Sequence, residues 1–224
     1  PYRTFLPSIG RLTRYRPPQE LNVEGAIVRN DTGVYEGGEI SMYYDPMMAK
    51  LVAHAPTREA AIDRLHLALD HYEIDGIVSN RQFLSAVLEN GSFRSGDLTT
   101  GFIDAEFEGD FVAGPPSDAA AARLVALGTA IVALQMEERH AGDPDTGFVV
   151  ISQDGTRRMV ELGHVANRSA KLTVDGKGFT LLGLLQAPVY LFDGTINEEP
   201  VAVQIRHSGH KVVLTHGAAR LALT

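Results

Sequence analysis

Leu124-Val125-Ala126-Leu127-Gly128-Thr129-Ala130-Ile131-Val132-Ala133-Leu134-Gln135-Met136 contains no charged residue. On a helix of 3.6 residues per turn, Leu124, Leu127, Ile131 and Leu134 fall on one stripe and Val125 and Val132 on another, so the stretch is apolar almost all round. Such a helix must be buried, and about 13 residues are too few to cross a membrane, which takes about 20. Protein must therefore enclose it. Gly114-Pro115-Pro116 breaks any element before it, and Ser117 is placed to cap a helix that runs through Ala119-Ala120-Ala121-Ala122 to about His140 and closes before Gly142.

The rest of the second half supplies the enclosure. Strand-like runs follow at Phe148–Ser152, Arg158–Leu162, Lys171–Val174, Phe179–Leu182, Val189–Phe192, Val201–Arg206, Lys211–Thr215 and Arg220–Leu223. Asp154-Gly155, Asp175-Gly176 and Asp193-Gly194 punctuate them, with Gly209 and Gly217 further on, and Asp-Gly between apolar runs is a strong hairpin signal. About eight antiparallel strands can close into a barrel, and a barrel can hold a helix.

The first half alternates differently. Arg11 to Arg16 has the period-two pattern of an edge strand whose three arginines face solvent, and Pro17-Pro18 ends it. Lys50-Leu51-Val52-Ala53 reads as a strand and Thr57 as a helix cap. In that helix Ala61, Ile62, Leu65, Ala68, Leu69 and Tyr72 face inward, and Arg58, Glu59, Asp63, Arg64 and Asp70 outward. A strand around Ile74 to Val78 leads to a second helix, capped by Asn80, with Phe83, Leu84, Val87 and Leu88 inward and Gly91 just past its end. The fold class is α+β: an antiparallel sheet with packed helices, followed by an antiparallel β-barrel of about eight strands around a long helix. The expected domains are residues 1–110 and 117–224, joined by a linker at 111–116.

Composition bounds the function. The 224 residues are 44% hydrophobic and 21% charged, as in a soluble globular chain, with no basic segment leading an apolar one at the N-terminus. With no cysteine, thiolate nucleophiles, disulfides and cysteine-based metal sites are excluded. Of the eight histidines only His207 and His210 stand close together, and no acidic ligand lies beside them, so no metal site is expected. Net charge is −8, and residues 1–110 carry 17 acids against 10 bases, which disfavours nucleic acid and anionic membrane as partners.

One stretch of the first half is too rich in turns and charges to be a core element: Val28-Arg29-Asn30-Asp31-Thr32-Gly33, Gly37-Gly38-Glu39, and Tyr43-Tyr44-Asp45-Pro46-Met47-Met48-Ala49-Lys50-Leu51. Arg29 follows the apolar run Gly25 to Val28 and precedes an Asn-Asp-Thr-Gly turn cluster, which places it at the end of a short strand. Its guanidinium is always charged and offers a rigid fork of donors, suited to a carboxylate, a phosphate or a developing enolate oxygen. A surface ion-pair partner would carry the same signature.

The order Val-Arg-x-Asp-Thr-Gly, Gly-Gly-Glu-Ile-Ser-x-Tyr-Tyr-Asp-Pro-Met-x-x-Lys-Leu resembles the C-terminal subdomain of biotin carboxylase, as found in α subunits of acyl-CoA carboxylases. Phe5-Leu6-Pro7-Ser8-x-Gly10, Asp75-Gly76-Ile77-x-x-Asn80 and Phe93-x-x-Gly96-Asp97-Leu98-Thr99-Thr100 extend the resemblance over about the first half. The helix motif Ala130 to Gln135 with His140, followed by strands, is similar to the domain between biotin carboxylase and the biotin carrier in propionyl-CoA carboxylase α subunits, a β-barrel around a long helix. Two departures stand out. The segment between helix and first strand, used in that family as a hook onto the β subunit, is only Ala141 to Gly147 here, and the tryptophan common between two barrel strands is absent near Gly183-Leu184-Leu185-Gln186-Ala187-Pro188.

The resemblance implies that Arg29 is the arginine that contacts the ureido oxygen of biotin and stabilises its enolate. Asp31, Glu39, Tyr44, Asp45 and Lys50 would support the loop around it, and Thr100 would lie toward the nucleotide pocket. ATP and Mg²⁺ would be bound mainly by an ATP-grasp domain, and biotin carried by a domain with a Met-Lys-Met signature. Neither motif set occurs in these residues, so the chain is expected to be the inactive middle piece of a longer ligase. The implied partners are the carboxyltransferase β subunit and the biotin carrier domain in cis, and the implied location is the bacterial cytoplasm or the mitochondrial matrix. Alternatives are a non-catalytic assembly module, the α subunit of 3-methylcrotonyl-CoA or another acyl-CoA carboxylase, and an unrelated ligand-binding barrel.

Overall fold

In the computed structural model, which describes residues 6–43, 45–137, 147–152, 154–185, 189–208 and 211–224, the N-terminal half builds three small antiparallel sheets. Its elements are β1 (Gly10–Arg11), β2 (Arg14–Arg16), β3 (Leu21–Val23), β4 (Ala26–Thr32), β5 (Glu39–Ile40), β6 (Ala49–His54), α1 (Arg58–Asp70), β7 (Glu73–Asp75), α2 (Arg81–Glu89), α3 (Gly91–Ser95) and α4 (Phe102–Glu106). β1 pairs with β5, β2 with β7, and β3, β4 and β6 lie side by side. Arg11 to Arg16 is thus not one strand: the chain breaks at Leu12, which is fully buried, and the two pieces join different sheets. Nor are all three arginines solvated, because Arg14 pairs with Glu73 across β2 and β7. The chain divides into two compact units, residues 1–113 and 114–224. Phe5, Tyr44, His140, Gly209, His210, residues 141–146 and residues 186–188, all singled out above, lie outside the described residues.

The Thr57 side chain caps α1 by accepting from the Ala60 N–H at 3.2 Å, and Ile62, Ala68 and Leu69 are buried, as the periodicity requires. Asp70 does not face water as expected. It is 1% exposed, 4.0 Å from Arg81 and 3.9 Å from the His66 ring, because the first residue of α2 brings a guanidinium to the end of α1. Leu84 differs the other way: it is 38% exposed although its spacing predicts burial. Gly91 begins α3 rather than trailing α2, with the Asn90 side chain accepting from the Phe93 N–H as its cap. Gly76, after β7, sits at φ +97°, where a side chain would collide with the Arg11 carbonyl.

The second unit is a helix inside a barrel. α5 (Asp118–Glu137) is followed by β8 (Gly147–Ile151), β9 (Arg157–Ala166), β10 (Ser169–Val174), β11 (Lys177–Gly183), β12 (Leu191–Ile196), β13 (Glu199–Ser208), β14 (Lys211–His216) and β15 (Ala219–Leu223), in one eight-stranded antiparallel sheet ordered as in the sequence. A bridge between Ser152 and Leu223 closes it, with the Ile151 and Thr224 backbones exchanging hydrogen bonds of 3.1 and 3.0 Å. Alternating residues point inward, such as Ala170, Leu172 and Val174 on β10 and Phe179 and Leu181 on β11, and they meet Val125, Leu127, Ala130 and Ile131, all 0% exposed. By length and apolar content Asp118–Met136 would reach across a bilayer, a longer reach than the uncharged core alone suggests, but 67% of it is buried within the protein. Thr129 satisfies its hydroxyl by donating to the Val125 carbonyl at 2.8 Å. Arg158 ties the barrel to the first turn of α5 through Asp118 and also holds Asp175, and Arg123 reaches Glu199 at 2.6 Å.

Turn chemistry was legible at Asp175-Gly176, where two residues at φ 51° and 76° join β10 to β11, but not at Asp193-Gly194. That pair lies within β12, and the turn comes at Asn197-Glu198, at φ 53° and 69°. Gly194 is demanded by close approach instead: a Cβ there would strike the Leu182 carbonyl and stand 2.9 Å from the Phe192 ring.

Leu127→Asp would place an unpaired carboxylate on the barrel axis, at a cost of about 4 kcal/mol or more. Hydrogen exchange on the 224-residue chain should then show the amides of β9 to β14 losing protection while those of β4 and β6 keep it. Unchanged protection in the barrel would contradict a helix-filled core.

Candidate functional site

The strand that carries Arg29 is longer than its sequence suggests. Asn30, Asp31 and Thr32 extend β4 instead of turning, because β6 pairs with them through Asn30↔Leu51, Asp31↔Lys50 and Thr32↔Ala49. Arg29 therefore stands in the middle of the strand and not at its end. Asn30, which favours turns by bonding its own backbone, finds a distant partner instead, the Tyr72 hydroxyl donating to Asn30 Oδ1 at 3.0 Å; Thr32 keeps its turn bond, accepting from the Val34 N–H at 3.3 Å where the strand ends, and its Oγ1 also lies 2.6 Å from the Tyr15 hydroxyl.

Alternation then places Arg29 and Asp31 together on the outer face. Their side chains are 61% and 49% exposed and form a two-pronged pair, with Arg29 Nε 2.9 Å from Asp31 Oδ1 and Nη2 donating to Oδ2 at 3.0 Å. The carboxylate takes one edge of the guanidinium and leaves the remaining N–H donors directed elsewhere. Register puts Lys50 opposite Asp31 on β6 and Val52 opposite Arg29. Asp31, Thr32, Gly33, Met47, Met48, Ala49 and Lys50 line a depression of about 390 Å³ beside the pair.

Not every residue of the motif converges there. Glu39 lies on β5, opposite Arg11 in a different sheet. Asp45 accepts from the Met47 N–H at 2.9 Å and shapes its own loop. Thr100 is exposed in the turn before α4. A larger, mostly apolar cavity of about 710 Å³, lined by Met47, Met48, Leu65, Leu84, Val87 and Phe93 among others, accounts for the exposure of Leu84 but does not include Arg29. Among the described residues no group of three or more histidine, aspartate or glutamate side chains converges to hold a metal ion.

Two residues of the site were not legible. Tyr15 and Tyr72 read only as apolar spacers, yet their hydroxyls are buried 2.5 Å apart, with the rings edge to face at 5.7 Å. Burial, reinforced by the Tyr15 hydrogen bond, pushes the pKa of Tyr72 well above the ordinary phenol range, so this hydroxyl stays protonated at any physiological pH. The signal available in the sequence was a tyrosine at an inward helical position, since a buried phenol needs a polar partner.

Residues 1–105 match the sequence family described as Biotin carboxylase C-terminal domain. Over 126 residues the chain is 59% identical to the propionyl-CoA carboxylase alpha chain of Ruegeria pomeroyi, covering 50% of this chain and 18% of that one. Over 242 aligned positions it is 32% identical to the mitochondrial propionyl-CoA carboxylase alpha chain of Caenorhabditis briggsae, covering 97% of this chain and 32% of that one. Among solved structures it is similar to the biotin carboxylase domain of Hydrogenobacter thermophilus 2-oxoglutarate carboxylase, with 37% identity, a TM-score of 0.42, and coverage of 45% of this chain and 21% of that one. The chain thus spans a third or less of the length of these relatives. Residues 1–105 therefore belong to the family of biotin carboxylase C-terminal domains, and along nearly its whole length the chain is similar to propionyl-CoA carboxylase alpha chains.

Proposed function

We propose that the chain is part of the α subunit of an acyl-CoA carboxylase, the propionyl-CoA enzyme on the strength of its relatives' names, a ligase that carboxylates biotin at the expense of ATP. Residues 1–110 are the biotin carboxylase C-terminal subdomain, 111–116 the linker, and 117–224 a barrel that docks the α subunit on the carboxyltransferase β subunit. The observation that carries this reading is the Arg29–Asp31 pair on the outer face of β4, inside the segment that matches the family.

Biotin, when bound, supplies a ureido nitrogen that accepts the carboxyl group. The part played by this chain is at the oxygen of that ureido. Arg29, steered by Asp31, presents its remaining N–H donors where negative charge develops, and donors fixed in advance are worth more than donors that must reorganise. Asp31 also keeps the guanidinium from swinging across the strand, and Lys50, opposite it in register, balances its charge. The donors fit the ureido oxygen. ATP and Mg²⁺ belong mainly to an ATP-grasp domain, and biotin to a carrier domain in cis, as the resemblance to biotin carboxylases implies. In a bacterium the enzyme works in the cytoplasm, and in a eukaryote in the mitochondrial matrix, as the names of the mitochondrial relatives suggest.

Two outcomes are expected. In the α subunit that carries this chain, Arg29→Ala should slow carboxylation of free biotin by about 10²- to 10³-fold, the worth of one oxyanion donor, with little change in the unfolding midpoint. A rate within about twofold of the unaltered protein would reduce Arg29 to a surface ion pair. For the docking role, the α subunit should co-purify with its carboxyltransferase subunit and lose it on Leu127→Asp, while carboxylation of free biotin survives. An unaltered α subunit that binds no such partner would exclude docking through the barrel.

A further inference from the structure

The outer half of β4 is held on one side only. β3 pairs with it through Val23↔Ala26, Asn22↔Ile27 and Leu21↔Val28 and then ends, so from Arg29 to Thr32 the strand has β6 on one side and, among the described residues, no strand on the other. One backbone group of that open edge is caught by a side chain, the Asn30 N–H donating to Glu20 Oε1 at 2.7 Å. The inner face is caught by a chain of hydroxyls. The Tyr72 hydroxyl donates to Asn30 Oδ1, the two phenol hydroxyls lie 2.5 Å apart, and the Tyr15 hydroxyl lies 2.6 Å from Thr32 Oγ1, which is also within reach of the Met48 carbonyl at 3.2 Å. Asn30, half-buried, and Thr32, exposed at the end of the strand, are thereby tied to the inner face on either side of Asp31.

A purely apolar core would not need those hydroxyls. Tyr15 and Tyr72 are 7% and 4% exposed, and phenylalanine would fill the same space without taking a hydroxyl out of water. What the hydroxyls add is direction. In a pleated strand the inward pull on Asn30 and Thr32 fixes how far Arg29 and Asp31 project outward and at what tilt. Tyr15 also belongs to β2 and Tyr72 follows α1, so the chain ties β4 to two other elements of the same unit.

We infer that Tyr72 and Tyr15 are positioning residues for Arg29: their hydrogen-bonded relay, closed on Asn30 and Thr32, sets the place from which the Arg29 guanidinium meets the ureido oxygen. The inference rests on the reading of Arg29 given under the proposed function.

The test is a mutant cycle on carboxylation of free biotin, in the α subunit that carries this chain. Tyr72→Phe should lower kcat about tenfold, since a small displacement of a positioned group is enough for that, and leave KM for ATP unchanged. In an Arg29→Ala background the same change should have almost no further effect, because a residue that acts through Arg29 has nothing left to act on. Tyr72→Phe within about twofold of the unaltered enzyme overturns the inference, and so does an equal loss in both backgrounds, which would mark Tyr72 as a general prop of the fold. If Tyr72→Phe does not fold, Thr32→Val opens the other end of the relay and is read in the same way. Arg29→Ala with full activity would be a different failure, overturning the role of Arg29 itself and the inference with it.

Discussion

A helix with no charged side chain from Leu124 to Met136 has no face it can turn to water, and the second unit is the consequence of that constraint. An ordinary amphipathic helix lies on one sheet and leaves a polar stripe outside. α5 has no such stripe over its central turns, so the sheet must curl until its first and last strands meet, which they do at Ser152 and Leu223. Eight strands give a barrel whose interior side chains would otherwise fill the lumen. Here the helix fills it. Small residues make room for it, with Ala126, Ala130 and Ala133 buried along its length and Gly128 against Leu214 and Leu223.

The first unit solves a different problem with less apolar material. Its sheets have two or three strands each, too few to be stable alone, and two clusters of buried residues hold them together. One gathers Leu12, Tyr15, Ile40, Tyr72 and Ile74, the other Ile62, Leu69 and Leu88. Several polar groups inside this unit are paired: Arg14 with Glu73, Asp70 with Arg81, the two tyrosines with each other. Breaking any of these leaves a buried donor or acceptor unmatched, which costs more than the bond contributes while intact.

The barrel was legible because its signal is periodic: inward residues alternate on β10 and β11, and α5 lacks charge through whole turns. What failed was whatever depends on a partner far along the chain. Asp70 reads as solvated until Arg81 is placed against it, and Asp193-Gly194 reads as a turn until the Leu182 carbonyl is placed against Gly194. At the candidate site the motif led to Arg29, but the strand around it was misread as a turn, since Asn-Asp-Thr-Gly is turn chemistry unless something distant takes the side chains. Tyr15 and Tyr72, 17 and 42 residues from Thr32 and Asn30, are that something, and no short local window contains them.

An exposed pair such as Arg29–Asp31 contributes little to stability, typically 0.2 to 1 kcal/mol, about as much as is lost in holding two side chains still. On the role proposed for Arg29, its use lies in orientation. An unpaired arginine carries about 2 kcal/mol of side-chain entropy that a ligand would have to overcome on arrival. With one edge of the guanidinium already fixed by a carboxylate, much of that loss is taken in folding, and the ligand meets a fork that is already aimed. The carboxylate also discriminates: it repels an anion approaching from its own side while leaving a neutral oxygen, one that becomes negative only as reaction proceeds, free to approach the other. A pair that adds almost nothing to the fold is, for that reason, suited to a site whose ligand comes and goes.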